Sequence, residues 1–207
     1  MGYRDINAGG HVALIARDAA GRRITRRMLC LGALLCAACA PTVYRWREPV
    51  RLQDGTVLTV QRSIQFDEYQ PLGGGGGGSD IPVSTLDVLD PAPQRPQVWS
   101  VAHLIPMLLD REAATGEWFV VTTFFMCSTW YDLGRPQLPY AEFRYRNGAW
   151  VRVPLSPASI GREANLLVPN QADVKTDHTL ESKKALMDNP EISPRHKRVI
   201  SQWSTNC

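Results

Sequence analysis

The segment Trp118-Phe119-Val120-Val121-Thr122-Thr123-Phe124-Phe125 constrains the fold more than any other part of the chain. Aromatic and β-branched residues fill both its odd and its even positions, and side chains on a strand alternate between faces. Such a run is stable as a central strand covered on both sides, which calls for a layered sheet. Trp130 and Tyr131 follow closely. This aromatic cluster reads as core, or as a wall of the core.

Three hairpins supply neighbours for that strand. Residues 142–146 and 149–153 flank Asn147-Gly148, a pair suited to the positive φ angles of a two-residue type I′ turn, and Tyr145 then faces Trp150. Residues 50–53 and 56–62 flank Asp54-Gly55; the same turn predicts Leu52 opposite Val57 and Val50 opposite Thr59. Residues 104–109 and 118–125 join around Thr115-Gly116, with Pro106 requiring an edge or a bulge. The six glycines at 73–78 end in Ser79-Asp80-Ile81-Pro82 rather than Gly-Lys-Ser or Gly-Lys-Thr. They read as a flexible loop, not a phosphate cradle, and residues 83–89 as a further strand.

After Leu155 charges rise and helical signals take over. Thr176 or Asp177 can cap a helix through Leu180, Ala185 and Met187. Ser193-Pro194 opens a second, carrying Val199, Ile200 and Trp203 toward one side, with the basic run 195–198 on a solvated face. The expected body, residues 50–207, is a single α+β domain: an antiparallel sheet of about six strands with one or two C-terminal helices.

The charge lies elsewhere. Residues 1–27 hold Arg4, Arg17, Arg22, Arg23, Arg26 and Arg27 against Asp5 and Asp18, so the whole-chain charge of +3 leaves residues 28–207 at −1. A nucleic-acid binder carries its basic patch on the folded body, and this chain does not, which argues against nucleic acid as a partner. The basic tail leads into residues 28–38, an uncharged, mostly apolar run whose helical length of about 16 Å is too short to span a bilayer. A basic region, a short apolar core and small residues form the layout of an export signal, here residues 1–38. Residues 39–49, with Pro41 and Pro49 bracketing Tyr44 and Trp46, read as a tether.

Leu35-Cys36-Ala37-Ala38-Cys39 resembles a bacterial lipobox, with Leu35 one place further back than the family prefers. The resemblance implies a lipoprotein precursor in which Cys39 receives diacylglycerol and becomes the new N-terminus; cleavage by ordinary signal peptidase after Ala38 is the competing reading. Thr25-Arg26-Arg27-Met28-Leu29 is similar to a twin-arginine motif, which implies export in a folded state. The stretch Trp46-Arg47-Glu48-Pro49-Val50-Arg51-Leu52-Gln53-Asp54-Gly55, with residues 143–151, resembles a group of proteobacterial envelope proteins to which no activity is attached.

If the leader is removed and Cys39 is acylated, Cys127 and Cys207 remain. An even remainder in an oxidising compartment favours a disulfide; closing a loop of about 80 residues is worth roughly 4 kcal/mol in the chain-entropy model. A nucleophilic Cys127 served by His103 is the rival, and nothing near either residue supplies a third orienting group. His11, His103, His178 and His196 are scattered without metal-ligand spacing, so no metal or cofactor is expected. The resulting expectation is a lipid-anchored protein on the periplasmic side of a bacterial membrane, binding or bracing another envelope protein. The alternative is an envelope hydrolase using Glu117, Asp132 and Glu142, which lie in or beside the aromatic strands.

Overall fold

The computed structural model describes residues 42–69, 78–91, 95–168, 177–204 and 207. Eight antiparallel strands form two four-stranded sheets. The first sheet runs β1 (Thr42–Arg51), β2 (Val57–Tyr69), β3 (Gly78–Val88), β4 (Trp99–Ala102); the second runs β5 (Ile105–Arg111), β6 (Trp118–Thr123), β7 (Ala141–Arg146), β8 (Ala149–Val153). Among the described residues there are three short α-helices: α1 (Cys127–Asp132), α2 (Leu180–Met187) and α3 (Pro194–Lys197). The expected single sheet of about six strands is therefore corrected to two sheets. The extra strands include β1, which occupies residues read as a tether: Trp46, Glu48 and Val50 alternate inward. The export signal 1–38, Cys39 and glycines 73–77 lie outside the described residues.

Alternation explains the layering. In the first sheet the even positions Val50, Leu58, Val60, Leu86 and Val88 are buried and share a core with Trp118, Val120 and Phe143 of the second. The second sheet is covered on its other face as well. Phe119 and Val121 pack with Tyr140, Val168 and Val199. All six residues of β6 are buried, as expected of a strand sandwiched between layers. The chain crosses between sheets at His103, whose φ of 57° makes the corner between β4 and β5.

The turns divide by chemistry. Asn147 and Gly148 take φ of 51° and 81°, Arg146 pairs with Ala149, and the Tyr145 and Trp150 rings lie 5.3 Å apart. The first hairpin differs from expectation. Leu52 donates to the Thr56 carbonyl (2.8 Å), Gly55 donates to the Leu52 carbonyl (3.0 Å), and Val50 pairs with Leu58. The loop is thus Gln53-Asp54-Gly55, a three-residue connection with Gly55 at φ 84°. Asp54 Oδ1 accepts from Thr56 N–H (2.8 Å) and favours that longer turn. Opposed residues share a face, so Val50 opposite Thr59 would have turned Leu58 and Val60 outward.

Two further corrections concern the helices. Thr179, not Thr176 or Asp177, caps α2, in a reciprocal box with Ser182. Helix α3 stops at Lys197, and Val199 donates instead to the Arg162 carbonyl (2.9 Å) in an extended segment.

Asn165 holds the sandwich edge. Its Oδ1 accepts from Leu109 N–H (2.9 Å), and its Nδ2 donates to the carbonyls of Leu109 (2.8 Å) and Arg51 (2.9 Å). One side chain thereby joins β5 of one sheet to β1 of the other. Replacing it by alanine removes three hydrogen bonds and strands their backbone partners. Asn165→Ala is expected to lower stability by about 2–4 kcal/mol, measured by urea unfolding; a loss below about 0.5 kcal/mol, the level of an ordinary surface substitution, would show that the edge does not need the clip.

Candidate functional site

A charged cluster is buried on the inward face of the first sheet. Glu48 and Arg62 occupy inward positions of β1 and β2 and are fully buried. Arg62 Nη1 donates to Glu48 Oε1 (2.7 Å), and its guanidinium lies 5.1 Å from the ring centroid of Trp46, its direct cross-strand partner. The second Glu48 oxygen meets Lys183 Nζ (2.8 Å) and accepts from Leu167 N–H (3.0 Å). Lys183 also donates to the carbonyls of Pro49 (2.6 Å) and Asn165. Burial pulls the pKa of Arg62 and of Lys183 below their ordinary values, with Glu48 opposing in each case. Both oxygens of Glu48 are engaged, so the carboxylate holds elements together.

Of the three carboxylates considered for catalysis, Glu117 and Glu142 are brought together on one guanidinium, that of Arg144. Glu142 is buried; it accepts from Arg144 Nε (2.8 Å), Ser156 N–H (2.9 Å) and Ser159 Oγ (3.0 Å). Glu117 accepts from Arg144 Nη1 (2.9 Å) and from Arg146. The hydrogen bond from Arg146, with help from Arg144, holds the Glu117 carboxyl below the usual carboxylate range. A general acid needs the opposite shift. Asp132 stands at the end of α1, where it lines a cavity of about 240 Å³ with His103, Thr129, Phe143 and Arg152. His103, weighed as a base for a nucleophilic Cys127, lines the same cavity as Asp132.

Cys127 and Cys207 have sulfurs 2.16 Å apart, at disulfide distance, with Cα atoms 5.4 Å apart. Around them the chain end is fixed by aromatic contacts. Trp203 packs edge-on against Phe124 (5.9 Å) and Trp130 (6.0 Å), and Tyr131 Oη donates to the Cys207 carbonyl (2.5 Å). His196 stands edge-on to Phe125 at 5.1 Å. Among the described residues no group of His, Cys, Asp and Glu could hold a metal ion, and no helix is long and apolar enough to cross a membrane.

Glu48, Arg62 and Lys183 were not singled out from the sequence, yet a signal existed. Once Trp46 and Val50 face inward, Glu48 must do so too, and Leu58, Val60 and Ile64 place Arg62 likewise. Lys183 gave no such signal.

Glu48→Gln leaves two buried cations without their anion and is expected to cost about 3–5 kcal/mol in urea unfolding; Glu48→Gln unfolding at the wild-type midpoint would refute the role. A second outcome concerns acid. Burial, reinforced by Arg195, lowers the His196 pKa to about 4. The unfolded chain therefore binds the extra proton between about pH 6.5 and 4, and stability falls as pH falls through that window. His196→Gln should remove up to about 2 kcal/mol of the difference between pH 7 and pH 4.5; an identical pH profile for both proteins would exclude His196 as the cause.

Compared with protein families, curated proteins and solved structures, the chain has no match, so its function is argued from its own residues.

Proposed function

We propose that this chain is an exported cell-envelope protein, anchored through lipid on Cys39 to the periplasmic side of a bacterial membrane, whose folded body binds or braces another envelope protein. The observation that carries the non-catalytic part is the engagement of its buried carboxylates. Glu48 and Glu142 are saturated by cations and backbone donors, and Glu117 is clamped by two arginines. Such groups rigidify a fold; they do not exchange protons with a substrate.

The export part is supported by the basic and apolar leader with its lipobox-like end, and by the Cys127–Cys207 pair at disulfide distance. A disulfide fits an oxidising compartment. The compact unit Pro41–Cys207 contains the two sheets and both core clusters.

The anchor is tested by feeding labelled palmitate to bacteria expressing the chain. Label should enter the wild-type protein and be absent from Cys39→Ala. Equal labelling of the two would sink the anchor. Mass analysis of the unreduced, extracted protein should show Cys127 and Cys207 in one bridged peptide pair; two alkylatable thiols there would refute an oxidising location.

A further inference from the structure

We infer that the outer face of β1 is a docking surface for anionic phospholipid headgroups. Glu48, Val50 and Trp46 take the inward positions, so Arg45, Arg47 and Arg51 all point outward, and all three are exposed. Their cross-strand partners are Ser63, Gln61 and Val57, none of them charged. Among the described residues none of the three side chains has an ion-pair partner. Two acids lie near the row: Asp177, whose carboxylate accepts from the Arg47 backbone N–H (2.7 Å), and Asp87 opposite Gln61, which is paired with Arg95 (2.8 Å). Several other arginines do meet a carboxylate: Arg62, Arg111, Arg144, Arg146 and Arg162. The β1 row thus sets three exposed positive charges, with the single carboxylate of Asp177 beside them, on a chain whose charge is −1 for residues 28–207.

The occupant follows from chain length. This step rests on the lipid-anchor reading above. Arg45 lies six residues after Cys39. Six residues span at most about 21 Å, so the lipid attachment point holds Arg45 close to the headgroups, and Arg47 and Arg51 follow along the same strand face at about 7 Å per pair of residues. Exposed Val43 precedes them on that face. Each arginine near an anionic surface contributes about 1 kcal/mol, an attraction that fades within a Debye length. The row would thus fix how the body lies on the membrane, leaving the second sheet turned toward a partner.

The test uses the full chain carrying Cys39→Ser and with all six leader arginines replaced by glutamine, so neither acylation nor tail charge contributes. The readout is the ratio of binding to vesicles of equal parts phosphatidylglycerol and phosphatidylcholine over binding to pure phosphatidylcholine, at low salt. Adding Arg45→Gln, Arg47→Gln and Arg51→Gln together should lower that ratio about ten- to hundredfold, with unchanged thermal unfolding. Three exposed charges removed elsewhere (Arg135→Gln, Lys184→Gln, Arg198→Gln) should leave it within about twofold, since only contact with the surface counts. A ratio near one for the starting chain, or equal losses in the two triple variants, would overturn the surface. Because the assay omits acylation, its failure leaves the palmitate result standing, and a failed palmitate label leaves this one standing.

Discussion

The carboxylate of Glu48 is the point on which the arrangement of elements depends. It accepts from Arg62 of β2, meets Lys183 of α2 and accepts from Leu167 in the segment that follows the second sheet. Arg62 in turn donates to the Pro106 and Leu167 carbonyls (both 3.3 Å), reaching β5. Two cations and one anion in a dry interior are not a source of net stability in themselves; hydrophobic groups of similar volume would often do as well. The cluster's value is directional. A hydrophobic contact tolerates sliding, whereas these hydrogen bonds close in one register of β1 on β2. Arg62 Nε, buried without a partner, shows that even this arrangement carries an uncompensated cost.

That register is set by the Gln53-Asp54-Gly55 loop, and the same geometry governs the exposed edges. A strand at a sheet edge presents unpaired amides and carbonyls that invite other chains. On β1, Arg47 donates to Asp177 Oδ1 (2.7 Å) and accepts from His178 N–H (2.8 Å), the Pro49 carbonyl takes Lys183, and the Arg51 carbonyl takes Asn165. Pro49 has no N–H to expose. On β5, the Met107 carbonyl accepts from Asn165 and Leu166, at the bulge that follows Pro106. The chain after the second sheet is thus less a pair of packed helices than a strap over two edges. Helix α2 docks by its lysine: Lys183 is its buried residue, while Leu180 is 39% exposed.

This explains which parts were legible in the sequence. The run 118–125, the Asn147-Gly148 turn and the Pro106 bulge each carry their cause within a few residues: alternation, positive φ, a missing N–H. The first hairpin misled because Asp54-Gly55 fits two turns, and only the inward set of Leu58, Val60 and Ile64 chooses between them. The α2 cap was misplaced by two or three residues because Asp177 is a capping residue by type but is taken by β1. The Asn165 clip and the Lys183 contact join residues far apart in sequence, with separations of 114 and 134 to their β1 carbonyls. No local pattern announces such pairs. For the site, the carboxylates were found but not their fate: Arg144 meets Glu142 from two positions along the same strand, whereas Glu117 is met by Arg144 and Arg146 from 27 and 29 positions away, a pairing no local pattern announces.

The distribution of arginines ties fold to function. Two arginines are absorbed twice over, by carboxylates and by rings: Arg144 and Arg162 both lie over Phe119, at 5.4 and 5.2 Å, while pairing with Glu142 and Asp110. A guanidinium held in this way is part of the packing, and its charge is cancelled within a few ångströms. On the first sheet the inward Arg62 of β2 has its carboxylate, and among the described residues the side chains of the outward arginines of β1 have no ion-pair partner. What sets β1 apart is that three such arginines share one strand face. Since that strand begins three residues after Cys39, the imbalance and the expected anchor fall at the same end of the body.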